Sequence, residues 1–167
     1  MLSSAVLTAT GLQQLEQSVR GSDIKDIVTV RGTYEAQLTK IDLHGLWMQR
    51  LRKALPGITY NAIHAGRVPI IFPADMNQQP MLSSGLVAHP GEIICYAAGT
   101  EHHLKTPVGW QSATILLTLK DFAEYGRALL GHEPPAPTEA RVVRPSAASM
   151  ARLMNLHKAA SDLALTP

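Results

Sequence analysis

A mainly β domain, closed into a sandwich or barrel and followed by two α-helices, is the fold this sequence predicts. Three observations predict it. Between Asp26 and about Leu119, short runs rich in Val, Ile, Thr and Tyr recur along the chain. Gly- and Pro-bearing turn signals separate those runs, a pattern of closely spaced strands. Beyond Leu119 the texture shifts to helix formers interrupted by a proline-rich break. The 167 residues, 46% of them hydrophobic, suit one domain with a substantial core.

Taken in order, residues 1–25 read as a leader. Thr10 is placed to cap a short amphipathic helix, GLQQLEQSV, that ends before Arg20-Gly21. Residues 26–120 form the β domain. Strands are expected at IVTV (27–30), TYEAQLTKID (33–42), LWMQRLR (46–52), GITYNAIHA (57–65), VPIIFP (68–73), EIICYA (92–97) and SATILLTL (112–119). Pro56-Gly57, Ala65-Gly66, Pro90-Gly91, Ala98-Gly99 and Pro107–Gly109 mark turns between them. Residues 121–167 are a helical linker and dimerisation segment. KDFAEYGRALLG reads as a helix that Asp121 caps and Gly131 ends. HEPPAPTEARVVRP reads as an irregular linker, because proline breaks regular pairing. A last helix starts at Pro145 or Ser146. Its Met150, Leu153, Met154 and His157 fall at i, i+3, i+4 and i+7, one helical face and the candidate dimer interface.

Charge and composition exclude several classes. Fifteen basic and thirteen acidic side chains leave a net charge of +2, too balanced for a nucleic-acid-binding surface on this segment. A single cysteine, Cys95, excludes an internal disulfide framework and multi-cysteine zinc sites. It lies in an apolar strand and reads as an inert buried thiol. No apolar run approaches the length of a membrane span, and the N-terminus does not resemble a signal peptide. A cytoplasmic protein is the default expectation.

HPGEIICYAAGTEHHL (89–104) concentrates three histidines, two glutamates and the cysteine. Its spacing resembles the second motif of cupin barrels: Gly91, five residues, Ala97 where the family has Pro, then Gly99, Thr100-Glu101 and His102. Thr106 stands where the family has Asn. The resemblance implies a cupin-like double-stranded β-barrel, or jelly roll, with His102 near the barrel mouth. The first cupin motif, His-x-His followed by Glu, is absent: His64 is flanked by Ile63 and Ala65. A metal site needs about three converging protein ligands. No metal, no cofactor and no catalytic residue are therefore expected, and His102 is read as a ligand-binding candidate.

LHGLWMQRLRKAL supplies a second signal. On a strand Leu46, Met48, Arg50 and Arg52 share one face, and Trp47, Gln49, Leu51 and Lys53 the other. Two arginines two positions apart offer forked donors to a carboxylate or phosphate. Arg67 adds a third. Tyr60 and His64 share strand parity, and with Tyr96 and His102 they complete the candidate ligand-binding set: Arg50, Arg52, Arg67, Tyr60, His64, Tyr96 and His102.

Three stretches, LHGLWMQRLRKALPG, HPGEIICYAAGTEHHL, and LTLKDFAEYGRALLG leading into VVRPSAASMARLMNLHKAA, together resemble the N-terminal sensor domain of AraC-type transcriptional regulators from about Thr33 to Ala160. The resemblance implies a non-enzymatic domain that binds a small effector, anionic to judge from the arginines, and forms a homodimer. A cyclic dinucleotide such as cyclic di-GMP is one such anion. DNA binding in that family belongs to a C-terminal helix-turn-helix domain. The chain ends at Pro167 without room for one, which is the expectation for either a truncated sensor half or a stand-alone relative, with the abrupt end in LALTP favouring truncation. The alternative from another class is a small metal-dependent cupin enzyme, an isomerase or dioxygenase.

Overall fold

The computed structural model describes residues 3–165. Twelve strands and three helices follow one another along these residues: β1 (Ser3–Ala9), α1 (Leu12–Glu16), β2 (Ser22–Val28), β3 (Ala36–Leu43), β4 (Leu46–Lys53), β5 (Gly57–Ile63), β6 (Arg67–Pro73), β7 (Met81–Ser83), β8 (Leu86–Ala88), β9 (Ile93–Cys95), β10 (Glu101–Thr106), β11 (Gln111–Thr118), α2 (Leu119–Leu130), β12 (Arg141–Val143) and α3 (Ala147–Leu165). They build a seven-stranded sheet, β1-β3-β4-β11-β6-β9-β12, and a five-stranded sheet, β2-β5-β10-β7-β8. The pairings are antiparallel. The two sheets face each other as a jelly roll, the form that the cupin-like motif implies within the sandwich or barrel that the strand-and-turn pattern predicts.

Strand parity sorts the side chains. Leu104 and Ile63 from one sheet meet Ile94 from the other, around fully buried Trp110, Tyr96 and Met81. A second cluster, Ala9, Leu15, Ile24, Ala36 and Leu38, is where α1 packs against the barrel. A third lies outside the barrel, between the seven-stranded sheet and α3: Phe72, Ala74, Ile93, Ala113 and Met150, joined by Leu153 and Met154.

Several elements depart from expectation, each for a local reason. The stretch read as a leader is part of the sheets. Residues 3–9 pair along β3 in full register, and only Ala9 among them is buried, so an edge strand with little apolar alternation was hard to see. Strand β2 begins at Ser22, five residues before the expected start. Charged Asp23, Lys25 and Asp26 masked it, because Asp26 is a buried inward position. The β7–β8 hairpin was missed because each strand has only three residues. Its Ser84-Gly85 loop holds both residues at positive φ, 43° and 90°, the two-residue turn that matches strand twist. The proline-rich linker contains a short strand after all: β12 adds to β9 as an edge, and Arg144 Nε donates to Glu92 Oε1 at 2.5 Å.

Helix α2 takes its cap from Thr118 rather than Asp121. The Thr118 hydroxyl oxygen accepts from the Asp121 backbone N–H at 3.0 Å, and the same hydroxyl donates to the Asp121 carboxylate at 2.6 Å. Gly131 ends the helix at φ 76°, as expected. Helix α3 turns Met150, Leu153, Met154 and His157 toward its own barrel. The face read as a dimer interface is an internal docking face, because the outer sheet surface offers the apolar partners Phe72, Ala113 and Ile115.

Candidate functional site

Between the sheets lies a lumen of about 70 Å³. Gln49, Leu51 and Lys53 of β4, Thr59 and Asn61 of β5, His102 and Thr106 of β10, and Ser112 and Thr114 of β11 line it, with Trp110 and the Val19–Ser22 turn. A water occupies about 30 Å³ of liquid, so this space is worth about two waters.

One end of the lumen is built on a buried ion pair. Lys53 Nζ donates to Asp26 Oδ1 at 2.5 Å and to Thr59 Oγ1 at 3.2 Å, and the Thr59 hydroxyl donates to the same carboxylate oxygen at 2.7 Å. Tyr34 donates to Asp26 Oδ2 at 3.2 Å. Burial pushes the Lys53 ammonium down, opposed by Asp26. Burial and the Asp26 charge together push the Tyr34 hydroxyl up. Lys53 sits here because strand parity turns it inward with Gln49 and Leu51, opposite Arg50 and Arg52.

His102 is the second polar centre. It comes inward from β10 while Glu101 and His103 point out, as alternation requires. Its ring stacks on Tyr96 with centroids 4.0 Å apart and planes 20° from parallel. Tyr96 is itself fixed by donating to Ser83 Oγ at 2.7 Å, and burial pushes its hydroxyl up to about 12. Neither ring nitrogen of His102 finds a hydrogen-bond partner, and nor does the indole N–H of Trp110. Burial first, then the neighbouring His103, push His102 down to about 4, so it is neutral at pH 7. Orphaned polar groups facing a lumen are costly unless something there satisfies them.

At the Arg20 side of the barrel, two guanidiniums approach the ring of Trp47. Arg67 Cζ sits 3.3 Å above the ring centroid and Arg20 Cζ 5.4 Å from it. Arg20 also pairs with Asp42 at 3.1 Å, and its backbone N–H and carbonyl are both bound by the Gln49 amide. Arg67 spends donors on the Gly45 and Leu116 carbonyls.

The seven ligand-binding candidates are thus scattered over four places. Tyr96 and His102 meet in the barrel interior. Arg67 packs on Trp47. Tyr60 and His64 are on the outer surface of the five-stranded sheet: Tyr60 packs near His103 at 5.3 Å, and exposed His64 lies 3.2 Å from Asp23. Tyr60 alternates with the inward Thr59 and Asn61, which explains its outward direction. Arg50 and Arg52 are outside the barrel, under α3. Sequence reasoning missed Lys53, Asp26, Thr59, Asn61 and Trp110. Parity on β4 already set Lys53 apart from the arginines, but its partner could be found only in three dimensions. Among the described residues no three His, Cys, Asp or Glu side chains converge in a metal-ligating group. Among them, too, no helix is long and apolar enough to cross a membrane.

No family model matches this chain, and no curated protein matches its sequence. A solved structure shares its fold. The AraC-like transcriptional activator CuxR superposes with a TM-score of 0.63 at 12% identity, over 94% of this chain and 60% of that one. The chain therefore spans about 60% of the length of that activator. Vicilin from Corylus avellana (hazelnut) matches with a TM-score of 0.36 at 13% identity, over 79% of this chain and 50% of its own. Bacillus subtilis oxalate decarboxylase matches with a TM-score of 0.36 at 12% identity, over 73% of this chain and 40% of its own.

Proposed function

We propose that this chain is the effector-sensing regulatory domain of an AraC-like transcription factor, with DNA binding supplied by a helix-turn-helix domain outside it. One observation carries the reading: a largely apolar lumen inside the barrel, in which His102 and Trp110 present nitrogens that no protein atom satisfies. Neutral His102 offers one donor and one acceptor, and Trp110 one donor. A small hydroxylated or carboxylate effector meets that demand. A cyclic dinucleotide is several times larger than the lumen, which favours a smaller ligand there. An effector regulates only through different affinities for two arrangements of the protein. Here the arrangements differ in how α2 and α3 are presented.

Dimerisation belongs to the same proposal but uses another surface. The inward face of α3 is occupied by its own barrel, so a homodimer uses the outward leucines. Leu156 and Leu163 on α3 are 70% and 75% exposed, and Leu129 on α2 is 83% exposed.

The test is thermal unfolding against a panel of sugars, small carboxylates, sugar phosphates and nucleotides. A small hydroxylated or carboxylate compound is expected to raise the melting temperature, and the response is expected to vanish in Trp110→Phe, which replaces the buried indole by a smaller phenyl ring without the N–H donor. A panel without any response would sink the sensor reading. Size-exclusion of Leu156→Asp with Leu163→Asp tests the interface: an elution volume equal to that of the parent would count against the outward face.

A further inference from the structure

Outside the barrel, the last turns of α3 lie across three strands and enclose a cleft of about 140 Å³. Arg50 and Arg52 rise into it from β4, and Lys158 and Asp162 descend from α3. Register places these groups in two rows. Gln37, Arg52 and Gln111 are cross-strand neighbours, as are Thr39, Arg50 and Ala113. The arginines thus face α3 on alternate rungs, with neutral donors and acceptors around them.

The charges do not balance. Three cations and one carboxylate line the cleft, an excess of two positive charges. Lys158 Nζ donates to Asp162 Oδ2 at 2.5 Å, an i,i+4 pair within the helix. Arg50 is half-buried and spends its Nη2 on long contacts, 3.3 Å to the Ala74 carbonyl and 3.4 Å to Gln111 Oε1. A guanidinium has five N–H donors in a planar fork, more than these two contacts use. Burial pushes Arg50 down, while Asp162 and Asp75 oppose that shift. Arg50 also borders a second hollow of about 90 Å³, shared with Lys158, Phe72 and Met154.

We propose that this cleft is a phosphate-binding site, occupied by the phosphoryl group of a small metabolite, which Arg50 and Arg52 hold from the sheet and Lys158 holds from α3. A phosphate monoester carries a charge near −1.5 to −2 at pH 7, which matches the excess. Paired arginines supply the forked donors that phosphoryl oxygens prefer, and a lysine adds a point charge. The cleft has room for about four or five waters, enough for a phosphoryl group with the rest of the molecule outside. A ligand held from both sides ties the end of α3 to the sheet. Asp162 competes for Lys158, so the phosphoryl group and that carboxylate trade places on the ammonium. The site is separate from the lumen and stands whether or not the lumen binds an effector.

The experiment uses inorganic phosphate as the probe, against sodium chloride at equal ionic strength. Near ten times the dissociation constant, phosphate is expected to raise the melting temperature by about 3–5 °C. Arg52→Gln, an exposed position that leaves folding intact, is expected to weaken phosphate binding at least fivefold by calorimetry. Asp162→Asn is expected to strengthen it, because a competitor is removed. Lys105→Gln, which removes a positive charge from the exposed face of the other sheet, is expected to leave it unchanged. Amide exchange in the last turns of α3 is expected to slow with phosphate. Absence of a phosphate-specific shift, equal binding in Arg52→Gln, or weaker binding in Asp162→Asn overturns the proposal.

Discussion

Two histidines make the stability of this domain depend steeply on mild acid. His102 and His157 are 4% and 1% exposed, in the lumen and under α3. Burial is the largest influence on each, and each is pushed down from 6.5 to about 4. For His157 the backbone of Thr114 and Gln49 opposes that shift and Arg50 adds to it, but neither ring nitrogen closes a well-aligned hydrogen bond. Both folded values are depressed. The unfolded chain therefore binds more protons below pH 6.5, and stability falls as pH drops toward 4. The stability each group contributes is complete above pH 6.5. Each group costs up to about 1.4 kcal/mol per pH unit across the window. At pH 5 that amounts to about 2 kcal/mol per histidine and about 4 kcal/mol for both, against a total domain stability of roughly 5–15 kcal/mol. Urea unfolding at pH 7, 6 and 5 measures it directly. The double variant His102→Gln, His157→Gln removes the titration and is expected to be nearly flat over that range, from a lower starting stability. A parent protein equally stable at pH 7 and pH 5, or a double variant that loses as much as the parent, would refute the reasoning.

Other perturbations test the scaffold. Asp26→Ala leaves the Lys53 ammonium buried without its partner and is expected to cost about 3–5 kcal/mol by urea unfolding, with recovery when Lys53→Met is added. Thr118→Ala removes the α2 cap and is expected to cost about 1 kcal/mol, read from the shift in urea midpoint. Leu153→Asp puts a charge under α3, so amide exchange throughout α3 is expected to accelerate while the barrel strands stay protected. Gly21→Ala introduces a Cβ 2.5 Å from Leu116 Cδ2 at a residue with φ 84°, and a fall in melting temperature is expected.

The barrel and the two C-terminal helices were legible because period-2 and helical apolar patterns survive in single stretches. VPIIFP and SATILLTL carry enough Val, Ile and Leu to announce strands β6 and β11. Strands β2 and β10 did not announce themselves, because outward Lys25, Asp23, His103 and Lys105 break up the apolar run while Asp26 and His102 take inward positions. The inward Asp26 is tolerable only because Lys53, 27 residues away, meets it. That pairing is tertiary information. The same limit applies to the site. Parity on β4 correctly separated Arg50 and Arg52 from Gln49 and Lys53, but nothing in the strand itself says which face looks into the barrel. The i, i+3, i+4, i+7 stripe of α3 was real, yet a stripe states only that a face is buried. Whether a second copy or its own sheet covers it depends on Phe72 and Ala113, which lie far away in sequence.

The size of the lumen also bears on how fast it can be filled. A ligand bulkier than its about 70 Å³ enters this space, bordered by strands, Trp110 and the Val19–Ser22 turn, only when the barrel breathes. Entry is then gated by that opening rather than by diffusion. The observed rate of association of any lumen ligand rises with concentration at first and levels off at the opening rate. Dissociation meets the same gate, so under the proposed sensor role an effector inside would leave slowly and its signal would outlast the pulse that delivered it.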